Sequence, residues 1–454
     1  MRTPRIAPWA AAGLLLGSAG GVAVTNGALS PAAAAVALAA AAIAGVVVWR
    51  VEYAPALIAL TLPLDAAGRV YQGSVTITLF HLALLLSLVS WGVRVWHEPR
   101  RWLRFSALDA GVFALLAAVV WSLPHSLNPG GTAVSLVRLV FLALFTLLYA
   151  NVVRDSAGVR RLLAAVGVTG VATSALVLFQ YRFPEIAPGN MSVVAKVGGT
   201  KVTRVSGFFE DPNYLAGFLT VVIVASLAEA VHARGGRRAS VWLGVFALSS
   251  AALVVTLSRT GWVAVLVGIA VVVLTAPRRR RVPLAVVTAL VGALLVTSAS
   301  ETIVARFASI TDVGTDRSVA TRALMLESTV DIIERHWVWG TGLNAYERAY
   351  VQYRRPGSHA SVLRPHQLPL AMWAEMGLAG LFAEVLLIGA ALRQFVRRRT
   401  RGWTMPETLA LAGVLTLLVQ TLFQYYLYFE YLWLFLALCV IARRLAENEE
   451  ASYA

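Results

Sequence analysis

The sequence has few charged residues, only two lysines and a single cysteine. Charged residues make up 14% of the 454 residues and hydrophobic residues 58%, whereas soluble domains are about 25% charged and about 45–50% apolar. A soluble globular protein is therefore excluded. Because Cys439 has no partner cysteine, the chain cannot form an intrachain disulfide or a cysteine metal cluster.

Motifs for nucleotide hydrolysis and metal-dependent sugar transfer are also missing. The chain has no Gly-x-x-x-x-Gly-Lys-Ser/Thr sequence and no Asp-x-Asp pair. The nearest outer histidines, His359 and His366, lie seven residues apart with Pro365 between them, which is a poor spacing for zinc. We therefore expect no metal and no cofactor, and a reaction driven by energy carried in the substrate.

Long apolar runs fill most of the chain. A membrane-spanning helix needs about 20 mostly apolar residues, and these runs are continuous, which excludes an outer-membrane barrel with its period-two alternation. The sequence predicts an all-α, polytopic transmembrane helical bundle of about 12–14 spans with a small helical extracytoplasmic loop domain. The predicted spans are 9–25, 31–48, 53–64, 75–93, 107–124, 133–150, 160–180, 213–231, 239–256, 260–276, 283–299, 370–392, 406–424 and 430–443.

The distribution of basic residues predicts the orientation of these spans. If the N-terminus is cytoplasmic, the inner side collects 24 of the 39 basic residues, and the short outer connections hold only Arg69 and Arg259. Both termini are then cytoplasmic and the number of crossings is even. The even number favours a true crossing at 53–64, although this segment is short, contains Pro55 and Pro63, and is also compatible with a half-span. The orientation of the spans therefore explains most of the basic residues, and nucleic-acid binding is not needed to explain them.

Two outer connections are long enough to carry function. We divide the chain into a transmembrane bundle at 1–299 with an outer loop at 182–212, an extracytoplasmic loop domain at 300–369, and C-terminal transmembrane helices with a cytoplasmic tail at 370–454. In residues 320–337, apolar and charged positions recur with the spacing of an amphipathic helix. Such a helix suits a lid at the outer membrane surface, or a helix that only packs on the bundle.

Outward basic residues oppose the orientation signal and need another explanation. Guanidinium groups bind phosphate in a bidentate manner and stay charged, so several of them at one surface favour a phosphate-bearing ligand. For any one of them, an ion pair or contact with lipid headgroups is the alternative. The set is Lys196, Lys201, Arg204, Arg259, Arg317, Arg322 and Arg364.

Three further residues on the predicted outer side have more than one possible role. Arg138 lies about two turns inside a predicted span, where it either lines the anion site or extends to the headgroups. Glu210 and Asp211 are adjacent before Pro212. They suit a cation site, an ion pair or a helix cap, and we favour the cap or the ion pair.

Several short motifs follow one another between residues 204 and 380. They are Arg204-Val205-Ser206-Gly207-Phe208 with Asp211-Pro212-Asn213, Ser258-Arg259-Thr260-Gly261, Arg322 with Gly340 and Gly342, and His366 with Glu375-Met376-Gly377-Leu378-Ala379-Gly380. In their combination and order on a polytopic chain, they resemble the O-antigen ligase and O-antigen polymerase family of bacterial membrane glycosyltransferases. Gln367, Leu326 and Trp337 depart from common family residues, so the branch, ligase or polymerase, stays open.

This resemblance implies transfer of a glycan from an undecaprenyl diphosphate donor to an acceptor hydroxyl, on a glycan or a lipid, at the outer face of the cytoplasmic membrane. His366 is the expected general base, because imidazole is suited to accept a hydroxyl proton near neutral pH. The alternative is a secondary transporter or flippase for a lipid-linked or anionic glycan, which should have charged residues at the membrane midplane and broken helices. The expected diphosphate-binding residues are Arg204, Arg259, Arg322, Arg138 and Arg317.

Overall fold

The structure is a computed structural model. It describes residues 45–47, 49–64, 70–72, 75–185, 192–197, 200–297, 317–358, 364–396 and 402–451. These residues form helices joined by short turns and two antiparallel hairpins. The predicted span 9–25 and most of the predicted span 31–48 lie outside the described residues.

The helices and strands follow the chain in a simple order. Short 3-10 turns flank α1 and follow α4. The elements are α1 (Ala54–Thr61), β1 (Val70–Gln72), β2 (Val75–Ile77), α2 (Leu79–His97), α3 (Pro99–Trp102), α4 (Ala107–Ser122), α5 (Pro129–Val152), α6 (Ser156–Arg182), β3 (Ser192–Val197), β4 (Thr200–Val205), α7 (Pro212–His232), α8 (Gly236–Val255), α9 (Arg259–Thr275), α10 (Arg278–Thr297), α11 (Arg317–His336), α12 (Tyr346–Tyr353), α13 (Leu368–Arg393), α14 (Met405–Thr421) and α15 (Glu430–Ala451).

The prediction of an all-α polytopic membrane protein is confirmed. Within the described residues, seven helices are long and apolar enough to cross a membrane, namely α2, α4 with its following turn, α5, α6, α7, α8 and α13. Helices α9 and α14 are apolar but shorter. The eight-residue α1 covers about 12 Å at 1.5 Å per residue, well short of a bilayer core of about 30 Å. By itself, α1 has the length expected if the predicted span 53–64 enters the membrane only halfway.

Helix α7 lies at the centre of the described bundle. In its most apolar window, 94% of the residues are buried inside the protein, compared with 28% to 50% in the other six candidate spans. It packs against α8, α9 and α14. A buried hydrogen bond of 2.8 Å from Gln420 Nε2 to Thr220 Oγ1 joins α14 to α7. The N-terminal end of α7 is therefore held firmly at one end of the bundle.

Helix α13 is broken at Gly377, and a neighbouring segment fills the break. Gly377 has φ 62° and ψ −155°, a conformation open essentially to glycine alone. The N–H groups of Thr341 and Gly342 donate to the carbonyls of Ala374 and Glu375, at 3.0 and 2.8 Å. The N–H of Leu378 donates to the carbonyl of Trp337 at 3.0 Å. The segment 337–342 therefore satisfies backbone groups that the break leaves without helical partners.

The segment after residue 316 forms a small second core. The predicted amphipathic helix at 320–337 is present as α11, and it packs with α12 against the start of α13. The Thr329 and Tyr346 hydroxyls lie 2.7 Å apart in this core. The buried members are Met325, Ile332, Ile333, Tyr346, Ala349, Tyr350 and Ala374. Because Ala374 belongs to α13, this core joins the segment to the bundle.

Candidate functional site

Arg204 connects three separate parts of the chain. It lies at the end of β4, and its Nε donates to the carbonyl of Thr256 at 2.9 Å. Its Nη2 donates to Asn213 Oδ1 at 3.2 Å, and the same oxygen accepts a hydrogen bond of 2.9 Å from Ser258 Oγ. The β3–β4 hairpin is thus tied to the N-terminal ends of α7 and α9.

The N-terminal ends of α7 and α9 are each capped by a side chain from the motifs noted in the sequence. Asp211 accepts a hydrogen bond of 2.6 Å from the N–H of Asn213, so the cap that the sequence favoured for this residue is present. Ser258 caps α9 by accepting from the N–H of Gly261. Arg259 is the first residue of α9 and is half-buried beside this cap.

A tyrosine cluster extends the site from α7 to the loop between α14 and α15. The Tyr214 hydroxyl donates to the carbonyl of Tyr425 at 3.0 Å, and the Tyr426 hydroxyl donates to the carbonyl of Asn213 at 2.7 Å. Burial, together with the Glu375 carboxylate, raises the pKa of Tyr425 well above its usual value. The Tyr425 hydroxyl therefore stays protonated and donates to Glu375 Oε2 at 3.1 Å.

Two arginines face this cluster across the ring of Tyr428. The guanidinium carbon of Arg364 lies 5.0 Å from the ring centroids of both Tyr425 and Tyr428, and that of Arg138 lies 6.0 Å from the Tyr428 centroid. Neither arginine forms an ion pair with a carboxylate within the described residues, and Arg364 Nε is buried without a hydrogen-bond partner there. Two arginines without a direct ion pair among the described residues therefore lie beside one ring.

Burial and neighbouring phenols oppose each other at Arg364. Burial alone would lower its pKa, but Tyr425, Tyr428 and Tyr214, with Glu375, raise the pKa above its ordinary value. Burial also raises the pKa of Tyr428 to about 12. Near neutral pH, Arg364 is charged and the Tyr428 hydroxyl is protonated. The site therefore presents positive charge and hydroxyl donors, which suits an anionic ligand.

Glu375 holds the two sides of the site together. Its side chain is fully buried, and Oε1 accepts from the N–H groups of Asn344 at 2.8 Å and Tyr346 at 3.3 Å. Its Oε2 accepts from Tyr425. The carboxylate thus links the backbone at the start of α12 to the loop after α14, with α13 between them.

The remaining predicted site residues lie on α11 and where the chain returns to the start of α13. His366 is half-buried, two residues after Arg364 and directly before Gln367, the N-cap of α13. Arg317 is the first residue of α11, and Arg322, half-buried, lies on its second turn. Arg204 and Arg138 lie at the two ends of a series of contacts that runs through Asn213, Tyr214, Tyr425 and Tyr428. For Arg317 and Arg322 the structure gives only their position on α11.

The sequence analysis did not identify three components of this site. Glu375 was noted only as part of a motif, and Tyr425 and Tyr428 only as part of the break between the last two predicted spans. Their signals are a carboxylate inside an apolar span and a run of aromatic residues from Tyr425 to Tyr428 interrupted by one leucine. A second carboxylate, Glu384, is also buried within α13.

Within the described ranges, no three His, Cys, Asp or Glu side chains are grouped in a way that would hold a metal ion.

Comparison with protein families identifies the later part of the chain. Residues 244–385 match the family model described as O-antigen ligase. The match confirms the resemblance noted in the sequence. It includes Arg259, Arg322 and His366, whereas Arg138 and Arg204 precede it. A comparison with curated proteins gave no match.

Proposed function

Taking the match of residues 244–385 to the O-antigen ligase family model as the premise, we propose that this multi-pass membrane protein transfers a glycan from an undecaprenyl diphosphate donor to an acceptor hydroxyl. The acceptor hydroxyl belongs to a glycan or a lipid, and the product contributes to a cell-envelope polysaccharide. The protein lies in the cytoplasmic membrane with both termini inside, so the site faces outward. In this proposal, residues 1–299 form the transmembrane bundle, residues 300–369 form the extracytoplasmic segment, and residues 370–454 form the C-terminal helices and the cytoplasmic tail.

One observation supports this proposal above the others: arginines and tyrosine hydroxyls collect where several helix ends meet. Arg204, Arg138 and Arg364 are linked through Asn213 and the tyrosine cluster. Arg259 begins α9 directly after Ser258, which donates to the same Asn213 side chain. A diphosphate at a membrane surface needs this combination of charge and donors, while apolar helices beside it accept the polyprenyl chain.

The arginines serve the leaving group. When the sugar is displaced, the bond between its anomeric carbon and the diphosphate oxygen breaks, and negative charge develops on the diphosphate. Guanidinium groups already in place stabilise that charge without needing to reorganise. We assign this role to Arg259 and Arg322 first, then to Arg204, with Arg138 and Arg317 as further members. Metal independence is part of the proposal.

His366 acts on the acceptor. A sugar hydroxyl is a poor nucleophile at neutral pH, and His366 accepts its proton as the new glycosidic bond forms. Its position two residues from Arg364, where the extramembrane segment returns to α13, brings an aqueous acceptor next to a membrane-bound donor. The acceptor oxygen then attacks the anomeric carbon directly.

The decisive assay measures release of undecaprenyl diphosphate. Purified protein is incubated with a lipid diphosphate glycan and an acceptor, and a ladder of products indicates a polymerase, whereas one transferred block indicates a ligase.

In this assay, Arg259→Ala should lower turnover about 10- to 100-fold, because a charge-assisted hydrogen bond contributes about 1.5–3 kcal/mol. Arg335→Ala is the matched control, since Arg335 is exposed and lies over the Tyr353 ring at 5.5 Å. Full activity of both Arg259→Ala and Arg322→Ala would refute the assignment.

A secondary transporter for a lipid-linked or anionic glycan is the second candidate, and two features of α13 favour it. The helix is broken at Gly377, and the buried Glu384 has an oxygen with no hydrogen-bond partner among the described residues. Broken spans and buried carboxylates are typical of transporters. Movement of the labelled lipid across a vesicle membrane without release of undecaprenyl diphosphate would favour this candidate over the enzyme.

A further inference from the structure

The opposite end of the bundle carries a second basic feature, at the turns that follow α7 and α9. These two turns and the start of α10 line a cavity of about 550 Å³. The walls near the helix ends are apolar, formed by Val231, Ala233 and Pro277. The rim is basic, formed by His232, Arg234, Arg278, Arg279 and Arg280.

The arginines of the rim fall into two groups. Arg280 Nη1 donates to the carbonyls of Val231 and Ala233, so this side chain fastens α10 to the end of α7. Arg234, Arg278 and Arg279 are exposed, and none of them forms an ion pair or a hydrogen bond with another residue of the described part. Three guanidinium groups at the cavity therefore lack an anionic partner among the residues that the structure describes.

The sequence around the cavity supplies no carboxylate to neutralise them. There is no Asp or Glu from residue 230 to residue 300. The carboxylate that precedes this stretch in the sequence, Glu229, already pairs with Arg238 at 2.8 Å. The rim of the cavity therefore gathers three exposed arginines in a stretch of sequence without carboxylates.

We propose that this cavity binds the headgroup of an anionic glycerophospholipid. The apolar walls suit the glycerol and the first acyl carbons, and the arginine rim suits the phosphate at the depth where a span ends. Basic pockets between membrane helices bind anionic lipid headgroups through this combination. A cavity of this size lies within the usual range for bound small molecules. The site is distinct from the candidate glycan site and does not depend on the proposed transfer reaction.

Lipid retention by the purified full-length protein tests this proposal. The protein is mixed in detergent with phosphatidylglycerol or phosphatidylcholine, and bound lipid is counted by native mass spectrometry. The test variant is Arg234→Gln/Arg278→Gln/Arg279→Gln. The control is Arg100→Gln/Arg160→Gln/Arg393→Gln, which removes the same charge from exposed arginines elsewhere. Intact folding of both is checked by thermal unfolding.

We expect selective binding of phosphatidylglycerol, about 100-fold weaker in the test variant and unchanged in the control variant. Replacing the same three arginines by lysine should keep most of the binding, because the charge remains. Equal loss in the control variant, or equal binding of phosphatidylcholine, would overturn the proposal. Displacement of phosphatidylglycerol by millimolar inorganic phosphate would also overturn it, since the cavity would then be a site for soluble anions.

Discussion

Replacing Gly377 by alanine tests how α13 and the segment 337–342 are joined. Gly377 lies at the break in α13 with φ 62° and ψ −155°. An added Cβ would overlap the carbonyl oxygen of Val338, a backbone atom that cannot move alone. The substitution should therefore force the segment 337–342 away from α13.

The expected cost follows from the contacts at the break. A non-glycine residue in this backbone region costs about 1–3 kcal/mol. Displacing the segment also weakens the three backbone hydrogen bonds made by Thr341, Gly342 and Leu378, each of which contributes about 0.5–1.5 kcal/mol net. Together these effects destabilise the junction by about 2.5–7.5 kcal/mol, which is a large fraction of the roughly 5–15 kcal/mol that stabilises a typical domain.

Gly389 provides a matched control on the same helix. A Cβ added there meets no atom within 4 Å, and alanine is preferred to glycine in a helix by about 0.5–1 kcal/mol. Thermal unfolding in detergent should show Gly377→Ala strongly destabilised and Gly389→Ala at least as stable as the wild type. Hydrogen exchange at the amides of Thr341 and Gly342 should increase only in Gly377→Ala. If the two variants unfold at the same temperature, the junction does not depend on this glycine.

Three other predictions concern the candidate site. Glu375→Ala should lower the unfolding temperature markedly, because each buried donor left without a partner costs about 1–3 kcal/mol, whereas Glu375→Gln keeps an acceptor oxygen and should recover much of the loss. Wild-type unfolding of Glu375→Ala would contradict the linking role. His366→Ala should bind the lipid diphosphate donor normally but turn it over about 10²–10⁴ times more slowly, with binding and turnover measured on one preparation. Near-normal turnover would remove His366 from the mechanism, and lost binding would make it a ligand. Chelator should leave transfer unchanged, and activity that disappears in chelator and returns with magnesium or manganese would make Glu210 and Asp211 metal ligands.

The helices were predictable because their signal is local. Apolar runs and polar breaks gave spans that agree with α4 to α9 and with α13 to within a few residues, and the amphipathic pattern gave α11. The β1–β2 and β3–β4 hairpins were not predicted, because the sequence was read for apolar runs and for helical periodicity. The break at Gly377 was not predicted either, since it depends on contacts with residues about 40 positions earlier.

The candidate site was only partly predictable for the same physical reason. Outward arginines are conspicuous because they oppose the orientation signal, so Arg204 and Arg259 could be selected from the sequence. Tyr425 and Tyr428 resemble ordinary aromatic residues of a membrane interface. Their relation to Arg364 appears only when the loop after α14 lies beside the start of α13.

The enclosure of α7 has a consequence for the order in which the chain is assembled. Helix α7 is synthesised before α8, α9 and α14, the helices that surround it, and α14 belongs to the last 50 residues of the chain. Until α14 arrives, one face of α7 must lie against lipid. Helix α7 is apolar on every side, which lets it enter the bilayer alone. A ribosome must therefore extend the chain from α7 through α14 before the centre of the described bundle can close.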